Sequence, residues 1–225
     1  LGRVQAERTV PLLSRGLKDT SPQVRTAAAR AIGQLEQGGM HAIRARLKQE
    51  KEASVRLILV EALGRRGSRR DIKFLTSILR GTDSASKARA FVALSLIARR
   101  TSGQLPGFVG ELATGALTDP SPNVRFGAAQ VLFRARKVQY RDLATALGAC
   151  LNDEVSDIRA LCVRVMGRLG KAGRGLRDEA SKDPDWQVHV ALARADGRAG
   201  DNDAIGERMD RWAARLETGV LQDDS

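Results

Sequence analysis

A motif of valine or isoleucine followed by arginine recurs along the chain, and its spacing constrains the fold more than any other feature. The clear copies are SPQVRTAAARAIGQL, EASVRLILVEALGRR, SPNVRFGAAQVLFRA and VSDIRALCVRVMGRL; the looser copies are ASKARAFVALSLIAR and DWQVHVALARADGRA. Their anchor residues, separated by 31, 33, 36, 34 and 30 residues, are Arg25, Arg56, Arg89, Arg125, Arg159 and His189. Six copies at one period indicate a repeat protein.

Each copy predicts one amphipathic helix, called here a second helix. In the first copy apolar residues fall two, three, six, seven and ten places after the anchor, which is helical spacing. Apolar runs such as TVPLLSRGL and DIKFLTSIL lie between the copies and predict first helices. Because neither helix can bury its apolar stripe alone, the pairs must stack. The sequence therefore predicts an all-α, right-handed α-solenoid of about six to seven antiparallel helix pairs.

The two ends of the chain fit the same register. Leu1-Gly2-Arg3 matches the end of a second helix, so we expect the natural protein to extend further toward the N-terminus. MDRWAARLETG predicts a terminal first helix that caps the array. We expect residues 1–217 to form a single solenoid and residues 218–225 to form an acidic, disordered tail.

Four glycines lie inside predicted second helices, each eight places after an anchor: Gly33, Gly64, Gly167 and Gly197. Glycine within a helix costs stability relative to alanine. Its recurrence therefore predicts close crossings between helices, where a side chain would not fit.

An acidic turn, often with proline, followed by Val-Arg and an alanine-rich helix with Leu-Gly, resembles the HEAT-like repeats of the phycobilin-lyase class. The resemblance implies a hydrogen-bonded ladder between the turn aspartate and the arginine of adjacent repeats. It assigns to this ladder Asp19, Arg25, Arg56, Asp83, Arg89, Asp119, Arg125, Asp153 and Arg159, followed by Asp183. The chain departs from the pattern at Gln49-Glu50, where an aspartate is expected, and at His189.

A second set of cations lies five and nine places after the anchors, one helical turn apart on one face. The resemblance places second helices on the concave side, so these residues predict a basic groove. The predicted partner-binding residues are Arg30, Arg65, Arg134, Arg164, Arg168, Arg194 and Arg198. A structural explanation also applies, because helix C-termini favour cations and long arginines cover apolar surface.

The formal charge of +12 favours an anionic partner. We predict a non-enzymatic scaffold that binds an acidic protein segment through the basic face. The alternatives are a protein that binds the backbone of duplex DNA or RNA, a HEAT-like DNA glycosylase, and the chromophore lyase that the resemblance implies. Aromatic residues make up only 4%, and Trp186 and Trp212 fit core or capping roles better than base stacking. His41 and His189 lie far apart in the repeat map, so we predict no metal, cofactor or catalytic residue.

Cys150 and Cys162 lie twelve residues apart on either side of a predicted turn. We expect two reduced, buried thiols, with a bridge across the helical hairpin as the alternative. No stretch approaches the roughly 18 apolar residues of a membrane helix, and the first residues lack the apolar centre of a signal peptide. The sequence therefore predicts a soluble, cytoplasmic protein.

Overall fold

The computed structural model describes residues 2–137, 142–200, 205–208, 210 and 213–214, and for residues 2–8 it describes only the backbone. Every regular element in these ranges is helical, which confirms the predicted all-α class. The predicted tail, 218–225, and Trp212 lie outside the described residues.

Twelve α-helices have their bounds within these ranges, and the described residues 205–208, 210 and 213–214 are helical as well. The twelve helices are α1 (Gly2–Gly16), α2 (Pro22–Gln34), α3 (Met40–Gln49), α4 (Ala53–Arg66), α5 (Ile72–Ile78), α6 (Ser84–Arg100), α7 (Gly107–Gly115), α8 (Pro122–Arg134), α9 (Leu143–Cys150), α10 (Ser156–Met166), α11 (Arg174–Ala180) and α12 (Trp186–Ala199). Short 3-10 turns occur at Arg69–Asp71, Ala116–Thr118 and Gly167–Gly173. The even-numbered helices are the predicted second helices, and the odd-numbered ones up to α9 are the predicted first helices. The sequence analysis did not assign α11, which occupies the first-helix position of the next pair.

The first helix differs from its predicted bounds. The sequence pattern placed the end of one helix at Arg3 and the start of the next at Thr9. Instead, α1 runs without a break from Gly2 to Gly16, with Pro11 inside it.

The chain forms two compact units. One comprises Leu1–Val109 together with Arg134–Arg136, and the other comprises Gly110–Phe133 together with Lys137–Ser225. In the first unit the second helices pack in the order α2, α4 and α6, and in the second unit α10 packs on α12. Leucine, valine, isoleucine and alanine fill both cores, as the low aromatic content predicts.

Polar side chains fix where several second helices begin. Ser21 caps α2 by accepting the N–H of Val24, and Pro22 occupies the first helical turn, where a missing N–H costs little. Asp83 caps α6 by accepting the N–H groups of Ala85 and Ser86. These caps set the rotational register of each helix, and with it the face that each residue occupies.

Close crossings occur at three of the four predicted glycines. A Cβ built at Gly33 would lie 3.2 Å from the Cβ of Ala62, and one at Gly64 would lie 2.8 Å from the Cα of Ala93. At Gly167 the Cα of Ala195 would lie 2.6 Å away. Gly197 is the exception, because its nearest neighbour, the Cδ1 of Ile205, would be 3.8 Å away.

The two cysteines form a disulfide, which corrects the expectation of reduced thiols. Cys150 ends α9, Cys162 lies within α10, and their Cα atoms are 6.5 Å apart. The short turn between α9 and α10 makes the two helices neighbours, and both cysteines are buried. Disulfides are typical of oxidising compartments, so this bond does not favour the predicted cytoplasmic location.

We expect Gly64→Ala to destabilise the fold and Gly197→Ala to stabilise it. At Gly64 the added methyl group overlaps Ala93, and overpacking of about 1–3 kcal/mol exceeds the gain in helix propensity of about 1 kcal/mol. At Gly197 the methyl group meets only ordinary contact, so the propensity gain remains. Urea unfolding of both variants measures the difference. Equal stability of the two variants would contradict the close crossing.

We expect reduction of the disulfide to lower the free energy of unfolding by about 2–3 kcal/mol, because the bond closes a short loop. Cysteines that are 12 residues apart lie in the range where loop closure contributes this much. Unfolding with and without a reductant tests the effect, and the variant with both cysteines changed to alanine serves as the control that a reductant cannot affect. Free thiols in the non-reduced protein would show that the bond is absent.

Candidate binding faces and the arginine ladder

Arg125 joins two consecutive repeats of the second unit. Its Nη1 donates to the carbonyl oxygens of Asp119 and Pro120, at 3.0 and 3.1 Å, in the turn before its own helix. Its Nε and Nη2 donate to the two carboxylate oxygens of Asp153, at 2.6 and 3.0 Å, in the next turn. One guanidinium thus fixes the shape of one turn and binds the carboxylate of the next.

The same contact occurs at two further anchors. Arg159 donates through Nε and Nη2 to Asp183, at 2.7 and 3.0 Å. Arg25 donates in the same way to Glu50, at 2.9 and 3.0 Å. Glu50 therefore takes the place of the expected aspartate, and the departure noted in the sequence does not interrupt the ladder there. These are the contacts between adjacent repeats that the resemblance implies.

Each acid of the ladder also shapes its own turn. The carboxylates accept the backbone N–H of the residue two places later, which is the N-cap of the following helix. The pairs are Asp19 with Ser21, Glu50 with Glu52, Asp119 with Ser121, Asp153 with Val155, and Asp183 with Asp185. The acid must therefore lie two residues before the N-cap.

The predicted ladder needs correction at Arg56 and Asp83. Arg56 donates to the carbonyl oxygens of Leu47 and Glu50, but within the described part of the chain it has no ion pair. Asp83 is itself the N-cap of α6, so the acid position two residues earlier is Gly81. A glycine offers no carboxylate, and this rung is missing.

Arg89 also needs correction. The anchors of α2, α4 and α12 lie four residues after the N-cap, and in α6 this position is Lys87. Arg89 instead donates to Glu61 of α4, at 3.4 Å. The register shift also makes Leu94 and Ala98 core residues, although the sequence pattern placed them in the exposed columns.

The ladder lowers the pKa of its buried acids. Burial alone would raise the pKa of Glu50. Hydrogen bonds from Arg25, from Arg46 and from the N–H of Glu52 outweigh burial and lower this pKa from 4.5 to about 2. Burial would likewise raise the pKa of Asp153, but the hydrogen bonds from Arg125 and from the N–H of Val155, together with the charges of Arg125 and Arg159, lower it. Both acids therefore remain charged at neutral pH.

A further set of arginines, which the sequence analysis did not assign, binds the ends of preceding second helices. Arg66 donates to the carbonyl oxygens of Ile32, Glu36 and Gly38. Arg100 does the same with those of Gly64, Arg65 and Gly67. Helix C-termini leave carbonyl groups without intrahelical partners, and cations are favoured there. In the sequence, the sign of these contacts was a basic residue at the C-terminal end of the helix that carries it, as Arg66 is in α4 and Arg100 is in α6.

Three predicted partner-binding arginines of the later repeats also make contacts within the chain. Arg168 donates to the carbonyl oxygens of Leu132 and Phe133, at 3.1 and 2.7 Å, so it belongs with the carbonyl-binding set. The Cζ of Arg164 lies 4.1 Å from the centroid of the Phe133 ring. Arg134 is half-buried, and burial, with a smaller effect from Arg99, lowers its pKa.

In the first unit the predicted residues are Arg30 and Arg65. Arg65 donates to Glu61 one helical turn earlier, at 2.7 Å, so one carboxylate already pairs with this guanidinium. Arg30 is exposed and makes no hydrogen bond or ion pair with any described residue.

On α12, Arg194 and Arg198 are exposed, and neither has a carboxylate partner in the ranges that the structure covers. The Cζ of Arg198 lies 5.9 Å from the centroid of the Phe133 ring, over which Arg164 also lies. Two guanidiniums from successive second helices thus share one aromatic ring of α8. Both distances are within or close to the range of cation–π attraction.

A family model described as HEAT repeat matches residues 9–38, which include α2 and most of α1. The fold of the described residues is that of an α-solenoid repeat protein, and the HEAT repeat model matches one helix pair of it. The structure of the Escherichia coli protein YibA aligns over 100% of this chain and 81% of its own, with 17% identity and a TM-score of 0.66. No curated protein sequence matches the chain.

Two other solved structures are similar to this chain. A designed armadillo repeat protein in complex with the peptide (KR)4 aligns over 84% of this chain and 99% of its own, with 16% identity and a TM-score of 0.62. The complex of CpcE and CpcF of phycocyanin lyase from Nostoc sp. PCC7120 aligns over 88% of this chain and 77% of its own, with 19% identity and a TM-score of 0.58. At these identities the similarity establishes the α-solenoid fold alone.

The described residues include no group of three or more His, Cys, Asp or Glu side chains that could hold a metal ion. Nor do they include a helix that is both long and apolar enough to cross a membrane.

We expect the stability advantage of the wild type over Glu50→Gln to disappear in acid. The pKa of Glu50 is lower in the folded state than in the unfolded state. The charged carboxylate therefore contributes its full stabilisation above pH 4.5, and this contribution is lost as the pH falls toward 2. Urea midpoints at pH 7, 5 and 3 measure this convergence. Glu179→Gln, which changes an exposed carboxylate, is the control and should show a much smaller difference. A constant gap between wild type and Glu50→Gln would contradict the ladder contact.

Proposed function

We propose that this HEAT-like repeat protein is a non-enzymatic binding scaffold, and that the basic face of its second unit binds an acidic segment of another protein. The face is defined by Arg164, Arg194 and Arg198 around Phe133. The observation that carries the proposal is the pair of guanidiniums over one phenylalanine ring.

The contact with Phe133 prepares Arg198 for a carboxylate. A guanidinium attracted to an aromatic ring loses part of its rotational freedom before a partner arrives, and Arg198 has no carboxylate partner among the described residues. Because the Cζ atoms of Arg164 and Arg198 lie 4.1 and 5.9 Å from one ring centroid, they lie within about 10 Å of each other. Neighbouring acidic side chains of one segment can reach both.

The charge of α12 supports the same conclusion. Arg194 and Arg198 lie one helical turn apart and are exposed, and no described carboxylate pairs with either. The single acid between them, Asp196, is fully buried and accepts hydrogen bonds from Arg177 and Arg208 instead. An acidic partner would supply the counter-charge that the described residues do not.

The choice of a protein partner rests on the architecture and on one solved relative. Stacked helix pairs present extended surfaces that suit peptides. The designed armadillo protein of similar fold is in complex with the charged peptide (KR)4, which supports a charged peptide as the class of ligand. The ligand proposed here has the opposite charge to (KR)4, because this face carries cations.

We expect a fluorescent oligoglutamate peptide to bind, and the double variant Arg194→Glu/Arg198→Glu to weaken binding at least tenfold, through loss of two attractions and gain of two repulsions. Fluorescence anisotropy at two salt concentrations measures the affinities. Lys48→Glu/Lys73→Glu, which makes the same charge change on exposed residues of α3 and α5, is the matched control and should bind nearly as the wild type does.

The same titration with duplex DNA and RNA separates the partner classes. Tighter binding to a duplex than to the peptide, with a steep salt dependence that the double variant removes, would favour the nucleic-acid alternative. Equal weakening by both double variants would mean that net charge alone drives binding, and the proposed face would be wrong.

A further inference from the structure

A polar cleft of about 280 Å³ lies between α2 and α4 of the first unit. Its rim comes from Arg30 and Gln34 of α2 and from Glu61 and Arg65 of α4. Its remaining lining is Ala29, Gly33, Ile58 and Ala62. The four rim residues occupy the exposed columns five and nine places after the anchors.

The cleft exists because the two helices approach each other through small residues. Gly33 faces Ala62 so closely that an added Cβ would lie 3.2 Å from the alanine Cβ. No large side chain fills the space above this crossing, whereas the longer rim side chains stand around it. The result is a small, largely apolar floor beneath a charged rim.

The charges of the rim are unequal. Arg30 is exposed and has no bonding partner among the residues that the structure describes. Glu61 forms ion pairs with Arg65, at 2.7 Å, and with Arg89, at 3.4 Å. The rim thus has two guanidiniums and one carboxylate, and that carboxylate also pairs with Arg89 of α6, so the surplus is positive.

We propose that this cleft is a subsite for a single carboxylate side chain, with Arg30 as its main ligand and Glu61 as the residue that limits the site to one negative charge. The methylene groups of a glutamate would lie over Gly33 and Ala62, and its carboxylate would accept hydrogen bonds from Arg30. The claim that this carboxylate belongs to a segment of a partner protein rests on the proposed function. As a carboxylate site it stands on the geometry of α2 and α4 alone.

The limit on charge follows from the position of Glu61. A second acid beside the first would meet the Glu61 carboxylate and would compete with it for Arg65. In the second unit the equivalent columns hold Arg164 of α10, Arg168 of the 3-10 turn that follows it, and Arg194 and Arg198 of α12. The same register therefore has one acid on its rim in the first unit and arginines alone in the second.

Side-chain NMR tests the subsite directly. The Nε–Hε resonances of Arg30 and Arg65, assigned by Arg30→Gln and Arg65→Gln, are followed during titration with N-acetylglutamate amide. N-acetylglutamine amide is the uncharged control probe. We expect saturable shifts with the glutamate probe alone, at millimolar affinity. Arg30→Gln should abolish them, and Arg15→Gln, an exposed residue of α1 with the same charge change, should not.

Glu61→Gln tests the limit on charge. We expect this variant to bind a diglutamate probe about three- to tenfold more tightly than the wild type does. The increase in affinity for N-acetylglutamate amide should be smaller. Equal gains for both probes would overturn the limiting role of Glu61. Absence of saturable shifts at Arg30, or equal shifts with the glutamine probe, would overturn the subsite.

These results are separable from the test of the proposed function. The oligoglutamate assay depends on Arg194 and Arg198 of the second unit, whereas the NMR titration reports on Arg30 and Arg65 of the first. Saturable shifts at Arg30 without any binding of oligoglutamate would support the subsite and refute the scaffold proposal. The converse result would refute the subsite alone.

Discussion

A guanidinium placed between two repeats must find an acceptor for its N–H groups in several directions, and this requirement organises the structure. Arg25, Arg125 and Arg159 meet it in the same way, by binding the carbonyl groups of one turn and the carboxylate of the next. The acid in turn orients the N-cap of the following helix. A single residue type therefore couples turn shape, helix start and the contact between repeats.

One such contact is missing, and close packing joins the two helices at that point. Between α4 and α6 the carboxylate is missing, since Gly81 occupies its position, and Arg56 binds carbonyl groups only. At the same pair of helices Gly64 and Ala93 meet at a distance that excludes any added methyl group. Charge pairing and close apolar contact thus act as separate means of joining neighbouring helices.

Much of this fold was predictable from the sequence, because a period of about 33 residues and helical apolar spacing determine helix pairs almost without tertiary information. The register of α6 was not predictable from the anchor motif. Asp83 precedes Arg89 by the same six residues that separate Asp19 from Arg25, yet Asp83 is an N-cap. Whether Cys150 and Cys162 form a disulfide depends on the distance between them across the turn, and their separation in sequence does not determine that distance. The arginines that bind carbonyl groups looked like exposed cations, because sequence cannot tell where a long side chain ends.

That last group has an electrostatic consequence. Carbonyl groups are dipoles and carry no net charge, so their contacts hold Arg66 and Arg100 in place without neutralising them. Unlike the rungs, in which each cation is cancelled by an acid, these contacts leave the positive potential around the molecule undiminished. Rigid, uncompensated cations of this kind draw negatively charged molecules from a distance and raise the frequency of encounters before any specific contact forms.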